Sequence, residues 1–155
     1  MAFRITGLSP EPFQSLFGLS DAELARHGAL RRIVDRKPGY PDRIELRDAE
    51  IGESVLLVNY THLPIETPFR SSYAIYVREG AHSRYDRVNE VPEQFRSRVL
   101  SLRAFDENDM LHDADIVEGA AAESLITRLL SSPETAYIHA HYAKYGCFAA
   151  RIDRA

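Results

Sequence analysis

The stretch that decides the fold is Tyr137-Ile138-His139-Ala140-His141-Tyr142-Ala143-Lys144-Tyr145-Gly146-Cys147-Phe148-Ala149-Ala150-Arg151-Ile152. Its centre, Lys144-Tyr145-Gly146, is typical of a three-residue hairpin loop, in which a type I turn precedes a glycine in the left-handed region. This loop predicts two antiparallel strands, with His141 opposite Ala149 and His139 opposite Arg151. The stretch therefore predicts a C-terminal β-hairpin.

The predicted register divides the hairpin into two faces. Residues directly opposite each other share a face, and a slip of one residue would mix polar with apolar side chains. One face is predicted to carry Tyr137, His139, His141, Ala143, Cys147, Ala149 and Arg151, and the other Ile138, Ala140, Tyr142, Phe148, Ala150 and Ile152. A four-residue loop would instead place Cys147 with Tyr142, on the face away from the histidines.

The histidine face is a candidate metal site, because His-x-His on a strand points both imidazoles to one side. Zinc takes about four nitrogen, sulfur or oxygen ligands at roughly 2.0–2.3 Å. His139 and His141 would supply two ligands, and Cys147 or His62, at the end of an earlier apolar strand, would supply a third. This interpretation predicts a divalent metal such as zinc, bound by His62, His139 and His141.

The same face also fits two metal-free interpretations. In the first, His139 or His141 is a catalytic acid or base and Cys147 a thiolate nucleophile, while Arg70 or Arg151 binds an anionic small molecule. In the second, the histidines hydrogen-bond loop carbonyl groups and Cys147 is a small apolar core residue. The residues alone leave all three interpretations open.

The remainder of the chain predicts more strands than helices. A capping box at Ser20-Asp21-Ala22-Glu23 indicates a short helix, and leucines and isoleucine at helical spacing predict another over residues 120–130. Apolar or alternating segments at 54–60, 72–78, 98–105 and 110–117 predict strands joined by short turns. The predicted fold is α+β in a single domain over residues 1–155, with a mainly antiparallel sheet of about six to eight strands.

Composition narrows the classes of protein that fit. The 155 residues carry 19 Lys plus Arg against 23 Asp plus Glu, a net charge of −4, and no basic cluster longer than Arg31-Arg32. We therefore expect no nucleic-acid partner. One cysteine is typical of a reducing compartment, and no apolar run approaches the ~20 residues of a membrane span. These features predict a cytoplasmic protein without a membrane partner.

Familiar catalytic motifs are absent. The sequence contains no G-x-S-x-G, H-E-x-x-H, C-x-x-C or phosphate-loop pattern. The acidic stretch Asp106-Glu107-Asn108-Asp109 lacks the glycine and terminal glutamate of an EF-hand loop and favours a solvated turn.

A set of motifs distributed over nearly the whole chain carries a family resemblance. They are Phe3-Arg4-Ile5-Thr6-Gly7-Leu8, Pro38-Gly39-Tyr40-Pro41 with Arg43, Asp48-Ala49 with Gly52-Glu53, Leu56-Leu57 with Asn59-Tyr60 and His62, Pro68-Phe69-Arg70-Ser71-Ser72, Val77-Arg78-Glu79-Gly80-Ala81, Ser101-Leu102-Arg103-Ala104-Phe105-Asp106, His139-Ala140-His141, Gly146-Cys147 and Ala149-Ala150-Arg151-Ile152. As a set they resemble the uncharacterised, mainly bacterial family labelled domain of unknown function 1203. The resemblance implies no activity, because none is established for that family.

The chain departs from the pattern of that family at two positions. Family members often have Cys where Asp42 stands and Asn where Tyr142 stands. Both departures weaken a thiol-based chemistry at Cys147, and both leave His139 and His141 untouched. We therefore expect a site for a small molecule, an anion or a metal on the C-terminal hairpin. The alternative is a non-catalytic binding or protein-interaction domain with structural histidines, which forms a homodimer through a sheet edge.

Overall fold

The computed structural model describes residues 1–155 and contains nine strands and three short α-helices. The strands are β1 (Phe3–Thr6), β2 (Leu30–Ile33), β3 (Ser54–Leu63), β4 (Ser71–Arg78), β5 (Asp86–Val88), β6 (Val99–Phe105), β7 (Leu111–Glu118), β8 (Tyr137–Tyr142) and β9 (Phe148–Arg154). The α-helices are α1 (Asp21–Arg26), α2 (Glu93–Arg96) and α3 (Ala122–Ser131). Two 3₁₀ helices precede α1 and α3, at Glu11–Leu16 and Gly119–Ala121.

The larger sheet has six strands in the order β5-β1-β9-β8-β6-β7, and every neighbouring pair is antiparallel. The predicted hairpins are present as β6–β7 and β8–β9. All six residues of β8 are buried. Both faces of this central strand are therefore covered, one by the main core and the other by residues of the β3–β4 region.

The main core lies on the face of the larger sheet that packs against α3. The helix directs Leu125, Ile126, Leu129 and Leu130 into the same apolar cluster as Ile138 and Ala140 of β8. This spacing of three and four residues is that of an amphipathic helix with one buried stripe. None of the helices has the length and apolar character needed to traverse a lipid bilayer.

The smaller sheet has the order β2-β3-β4 and a core of its own with the N-terminal helices. The predicted capping box is confirmed, since the Ser20 hydroxyl accepts from the Glu23 N–H and the Glu23 carboxylate accepts from the Ser20 N–H. Leu63 at the end of β3, with Ile65 and Phe69 of the connection from β3 to β4, packs against Phe105 and Tyr137 of the larger sheet.

The predicted fold class, α+β with antiparallel sheets, short helices and a C-terminal hairpin, is confirmed. The strands are divided between two sheets instead of forming one. The predicted helix over 120–130 is α3, which begins at Ala122 because the preceding residues form the 3₁₀ turn.

The predicted register of the C-terminal hairpin is correct at one end and wrong at the other. His139 lies opposite Arg151 as predicted, but His141 lies opposite Phe148 instead of Ala149. The Tyr142 N–H donates to the Cys147 carbonyl, so the loop has four residues, 143–146, with Gly146 at a positive φ of 75°. A β-bulge between these positions absorbs the extra residue and restores the predicted pairing.

Candidate functional site

A cavity of about 300 Å³ lies on the face of the larger sheet opposite α3, under the β3–β4 connection. Strands β6, β7 and β8 of the larger sheet, strands β3 and β4 of the smaller sheet and the loop between β3 and β4 supply its walls. None of the lining residues is an aspartate or glutamate. The lining residues are His62, Leu63, Pro68, Phe69, Arg70, Ser71, Arg103, Phe105, Leu111, His139 and His141.

Strand pairing explains why polar side chains gather on this face. On β6 and β8, Arg103 is directly opposite His139, and Ser101 is directly opposite His141. Directly opposed residues in an antiparallel pair share a face. Arg103, His139 and His141 therefore stand together in the cavity wall.

His62 reaches the same cavity from the smaller sheet. It lies at the point where the β3–β4 register shifts, between the pairs Thr61–Ser72 and Leu63–Ser71, so it has no partner in the ladder. Such a bulge re-aims a side chain. The His62 ring centroid lies 5.1 Å from that of His141 and 6.1 Å from that of His139.

The Phe148 ring packs against all three imidazoles. It stacks on His62 with centroids 5.1 Å apart and an interplanar angle of 9°, and its centroid lies 5.0 Å from His139 and 5.8 Å from His141. The bulge in β9 is what brings Phe148 to this face, where the sequence pattern did not place it. Phe148 thereby removes water from the imidazole rings.

Burial determines the protonation state of the three histidines. His139 and His141 are only 4% and 2% exposed. Burial lowers the pKa of His139 to about 3, with further lowering from His141 and His62. Burial and the nearby Arg103 charge lower the pKa of His141 to about 3 and that of His62 to about 4. At neutral pH all three imidazoles are uncharged.

The hydrogen bonds of the imidazoles are incomplete. His141 Nδ1 lies 3.0 Å from the Gly146 carbonyl oxygen, so this nitrogen carries the proton and donates it, which leaves Nε2 with a lone pair. The Nδ1 atoms of His62 and His139 are buried and have no hydrogen-bond partner. Buried polar atoms in native proteins usually have a partner, so two unpaired nitrogens at one cavity need an explanation.

Arg103 brings a positive charge to the cavity without a matching negative one. Its only hydrogen bond is from Nε to the Ser101 hydroxyl, at 3.2 Å. Other partly buried arginines are paired, such as Arg78 with Glu45 at 2.6 Å and Arg98 with Asp48 at 2.6 Å. Burial lowers the pKa of Arg103 below its usual value, although a guanidinium still stays protonated at neutral pH.

The two arginines singled out from the sequence are placed differently. Arg70 lines the cavity mouth, where its guanidinium contacts the exposed Glu66 at 2.8 Å. Arg151 shares the face with His139, but its guanidinium pairs with Asp153 and lies 4.2 Å from the Tyr137 ring centroid. Arg151 is exposed and does not line the cavity.

The predicted placement of Cys147 on the histidine face is wrong. The four-residue loop puts Cys147 with Tyr142, and it joins the main core cluster. Its Sγ accepts a hydrogen bond of 3.0 Å from Nη2 of Arg43, a buried guanidinium that lies over the Tyr142 ring. The structure therefore does not bring the thiol together with the three imidazoles.

The predicted zinc ligands His62, His139 and His141 are neighbours, but their nitrogens do not converge on one point. No group of three or more His, Cys, Asp or Glu side chains in the structure has metal-coordinating geometry as the side chains stand. The third centroid separation, His139 to His141, is 6.5 Å.

Arg103 is the site residue that the sequence analysis did not single out. It lies within a predicted strand whose residues alternate as Ser101-Leu102-Arg103-Ala104-Phe105. That alternation shows that Ser101, Arg103 and Phe105 share a face. Only the pairing of β6 with β8 shows that this face is the histidine face.

Fold and site together define an α+β protein of two antiparallel sheets, with a cavity of neutral imidazoles and unpaired arginine charge between β3 and the larger sheet. Residues 39–154 match the family model described as "Protein of unknown function (DUF1203)", so the chain belongs to that family, as its motifs indicate. No curated protein and no solved structure gives a match.

Proposed function

We propose that this protein binds a small oxyanion, a carboxylate, phosphate or sulfate group, in the cavity formed by Arg103, Arg70 and the three histidines. The observation that carries the proposal is the unpaired Arg103 guanidinium, in a cavity lined by no acidic residue. A partly buried charge without a partner costs stability. Such a group is readily explained when a ligand completes its pairing.

The hydrogen-bonding groups suit an anion. The Arg103 Nη groups are donors without a protein acceptor, and a guanidinium can hold a carboxylate or phosphate through two parallel hydrogen bonds. The neutral imidazoles of His62 and His139 can also donate one N–H each without adding charge, whereas the one N–H of His141 is already donated to the Gly146 carbonyl. Arg70 at the cavity mouth is paired with the exposed Glu66, and its guanidinium keeps further donors with which it could contact an anion that enters the site.

The dimensions of the cavity limit the ligand. A volume of about 300 Å³ is at the lower end of the range of about 300–1,000 Å³ for small-molecule sites. Phe69, Phe105 and Leu111 supply apolar wall. These features favour a small carboxylic acid or inorganic anion over a nucleotide.

The alternative from the sequence, an interaction domain that dimerises through a sheet edge, stays a prediction. The outer strands of the larger sheet are β5 and β7, and those of the smaller sheet are β2 and β4. A non-catalytic interaction domain would need neither the cavity nor the unpaired Arg103, so the anion site accounts for more of what is observed.

Isothermal titration calorimetry of the untagged, metal-free protein with sulfate, phosphate and acetate at pH 7 tests the proposal. We expect saturable binding of at least one anion at one site per chain, weakened about tenfold or more in Arg103→Gln, because a charge-assisted hydrogen bond contributes about 1.5–3 kcal/mol. Arg26→Gln is the matched control, since Arg26 is exposed at the end of α1.

Two results would contradict the proposal. One is the absence of saturable binding of any of the three anions by the wild-type protein. The other is equal affinity in Arg103→Gln and in the Arg26→Gln control, which would place the anion elsewhere on the surface.

A further inference from the structure

Two buried imidazole nitrogens, on residues that line the cavity, remain unexplained by an anion held at Arg103. The Nδ1 atoms of His62 and His139 lack any partner, and His139 is only 4% exposed. Leaving a buried polar atom unpaired is unfavourable. Both residues line the same cavity, together with His141.

The protonation of His141 also leaves a ring nitrogen free to bind a ligand. Its Nδ1–H donates to the Gly146 carbonyl at 3.0 Å, so the free lone pair is on Nε2. A backbone carbonyl that fixes one ring nitrogen in this way is the usual support of a metal-ligating histidine, because it orients the ring and makes the other nitrogen more basic.

We propose that His62, His139 and His141 bind one transition-metal cation of the zinc type, and that the oxyanion at Arg103 occupies its open coordination position. The inference rests on the proposed anion site for its second half alone. Three neutral nitrogen ligands with one open position are the arrangement of a catalytic zinc site, whereas a structural site uses four protein ligands.

Ring positions are close to those that a metal requires. Zinc–nitrogen bonds of 2.0–2.1 Å place the centroids of three ligating imidazoles roughly 5 Å apart. The His62–His141 separation of 5.1 Å already agrees with this value. His139, at 6.1 and 6.5 Å from the other two rings, needs to approach by about 1 Å for the three imidazoles to share one metal.

Charge balance links the metal to the anion. No carboxylate lines the cavity, so a divalent cation held by three imidazoles would keep its full charge next to the unpaired Arg103. An oxyanion on the metal compensates the charges of the cation and of Arg103, because it can accept hydrogen bonds from Arg103 while it coordinates the cation. The two ligands should therefore each bind more tightly in the presence of the other.

The test uses untagged protein stripped of metal and titrated with zinc by calorimetry and with cobalt(II) by absorbance, each with and without sulfate. We expect one ion per chain, a visible cobalt spectrum of four-coordinate type, and tighter zinc binding with sulfate. His62→Gln, His139→Gln and His141→Gln should each weaken zinc binding at least tenfold, and His82→Gln, at an exposed loop histidine, should not.

The metal and anion proposals fail separately in this experiment. Sulfate binding by metal-free protein, without stoichiometric zinc or cobalt, would overturn the metal site and leave the anion site intact. Zinc binding that is lost in the histidine variants, without sulfate binding to either the metal-free or the zinc-bound protein, would overturn the anion site and leave the metal site intact. His139→Gln removes a buried side chain and could unfold the protein. If it does, His62→Gln decides the question, because His62 is half-buried and circular dichroism can confirm that this variant is folded. Zinc affinity in His62→Gln equal to that of His82→Gln would also overturn the metal site.

Discussion

Arg103 lies directly opposite His139 on adjacent antiparallel strands; the guanidinium bonds only to the Ser101 hydroxyl, and the buried His139 Nδ1 has no partner. One is a guanidinium without a carboxylate, and the other is an imidazole with an unpaired Nδ1. Both line one cavity with no acidic residue. This pair is the physical basis of the proposal that the protein holds an anion.

Replacing Arg103 should not reduce the free energy of unfolding, although it should reduce anion binding. Its charge is partly buried and gains little from its single hydrogen bond to Ser101. Removing an unpaired charge by Arg103→Gln is expected to leave stability unchanged or raise it by about 1 kcal/mol. Urea unfolding of the anion-free protein measures this, and a loss above about 1 kcal/mol would mean that Arg103 serves the fold.

The stability of the metal-free protein should fall as the pH drops below about 6.5. Burial lowers the pKa of His139 and His141 to about 3 and that of His62 to about 4 in the folded chain, against 6.5 as the ordinary value. The unfolded chain therefore binds more protons between these values, and this stabilisation, complete above pH 6.5, is lost towards pH 3.

Urea unfolding at pH 7.5 and 5.5 measures this dependence. Each imidazole adds a slope of up to about 1.4 kcal/mol per pH unit, so His139→Gln should show a shallower loss than the wild type, and the exposed control His82→Gln should not. Equal slopes in His139→Gln and the wild type would show that His139 is not held neutral in the folded state.

The Cys147 thiol should affect stability and leave anion binding unchanged. Its Sγ accepts a hydrogen bond from the buried Arg43 guanidinium, on the side of the hairpin away from the imidazoles. Cys147→Ala leaves that N–H unpaired and should cost about 1–3 kcal/mol, whereas Cys147→Ser keeps an acceptor and should cost less. Thermal melts and anion titrations of both variants test this, and weaker anion binding in both would place the thiol in the site.

Arg154 should stabilise the C-terminal end of α3. Its guanidinium donates to the carbonyl oxygens of Leu130 (2.7 Å), Ser132 (2.7 Å) and Thr135 (2.6 Å). The last carbonyl groups of a helix lack partners within the helix, and a cation there also interacts favourably with the helix dipole. Arg154→Met, which keeps the apolar stem, should cost about 2 kcal/mol in urea unfolding. Stability equal to that of the wild type would contradict this role.

The fold could be predicted from the sequence where local patterns determine it. The capping box at Ser20 and Glu23, the hairpins, the helix near Leu125 and the left-handed Gly146 are all local signals, and the structure confirms them. That the chain forms one domain stays a prediction. The division of the strands between two sheets depends on pairing between segments distant in sequence, which alternation does not encode.

The candidate site could be predicted only in part for the same reason. His-x-His placed two imidazoles on one face, and His62 was a reasonable third. Cys147 and Phe148 lie on the faces opposite to those predicted, because the loop is one residue longer than predicted and shifts the register next to it. The bulge then reverses this shift, so that the pairing at Arg151 is the predicted one. Arg103 lies on another hairpin, so it could not be assigned to the histidines without the β6–β8 pairing.

The most direct measurement is a crystal structure of the protein soaked in selenate, with data collected at the selenium absorption edge. Selenate has the shape and charge of sulfate, and its anomalous signal identifies the bound anion without ambiguity. The account predicts an anomalous peak in the cavity, with selenate oxygens within about 3 Å of the Arg103 guanidinium nitrogens. A cavity without that peak, while selenate is bound elsewhere or Arg103 pairs with a carboxylate, would contradict it.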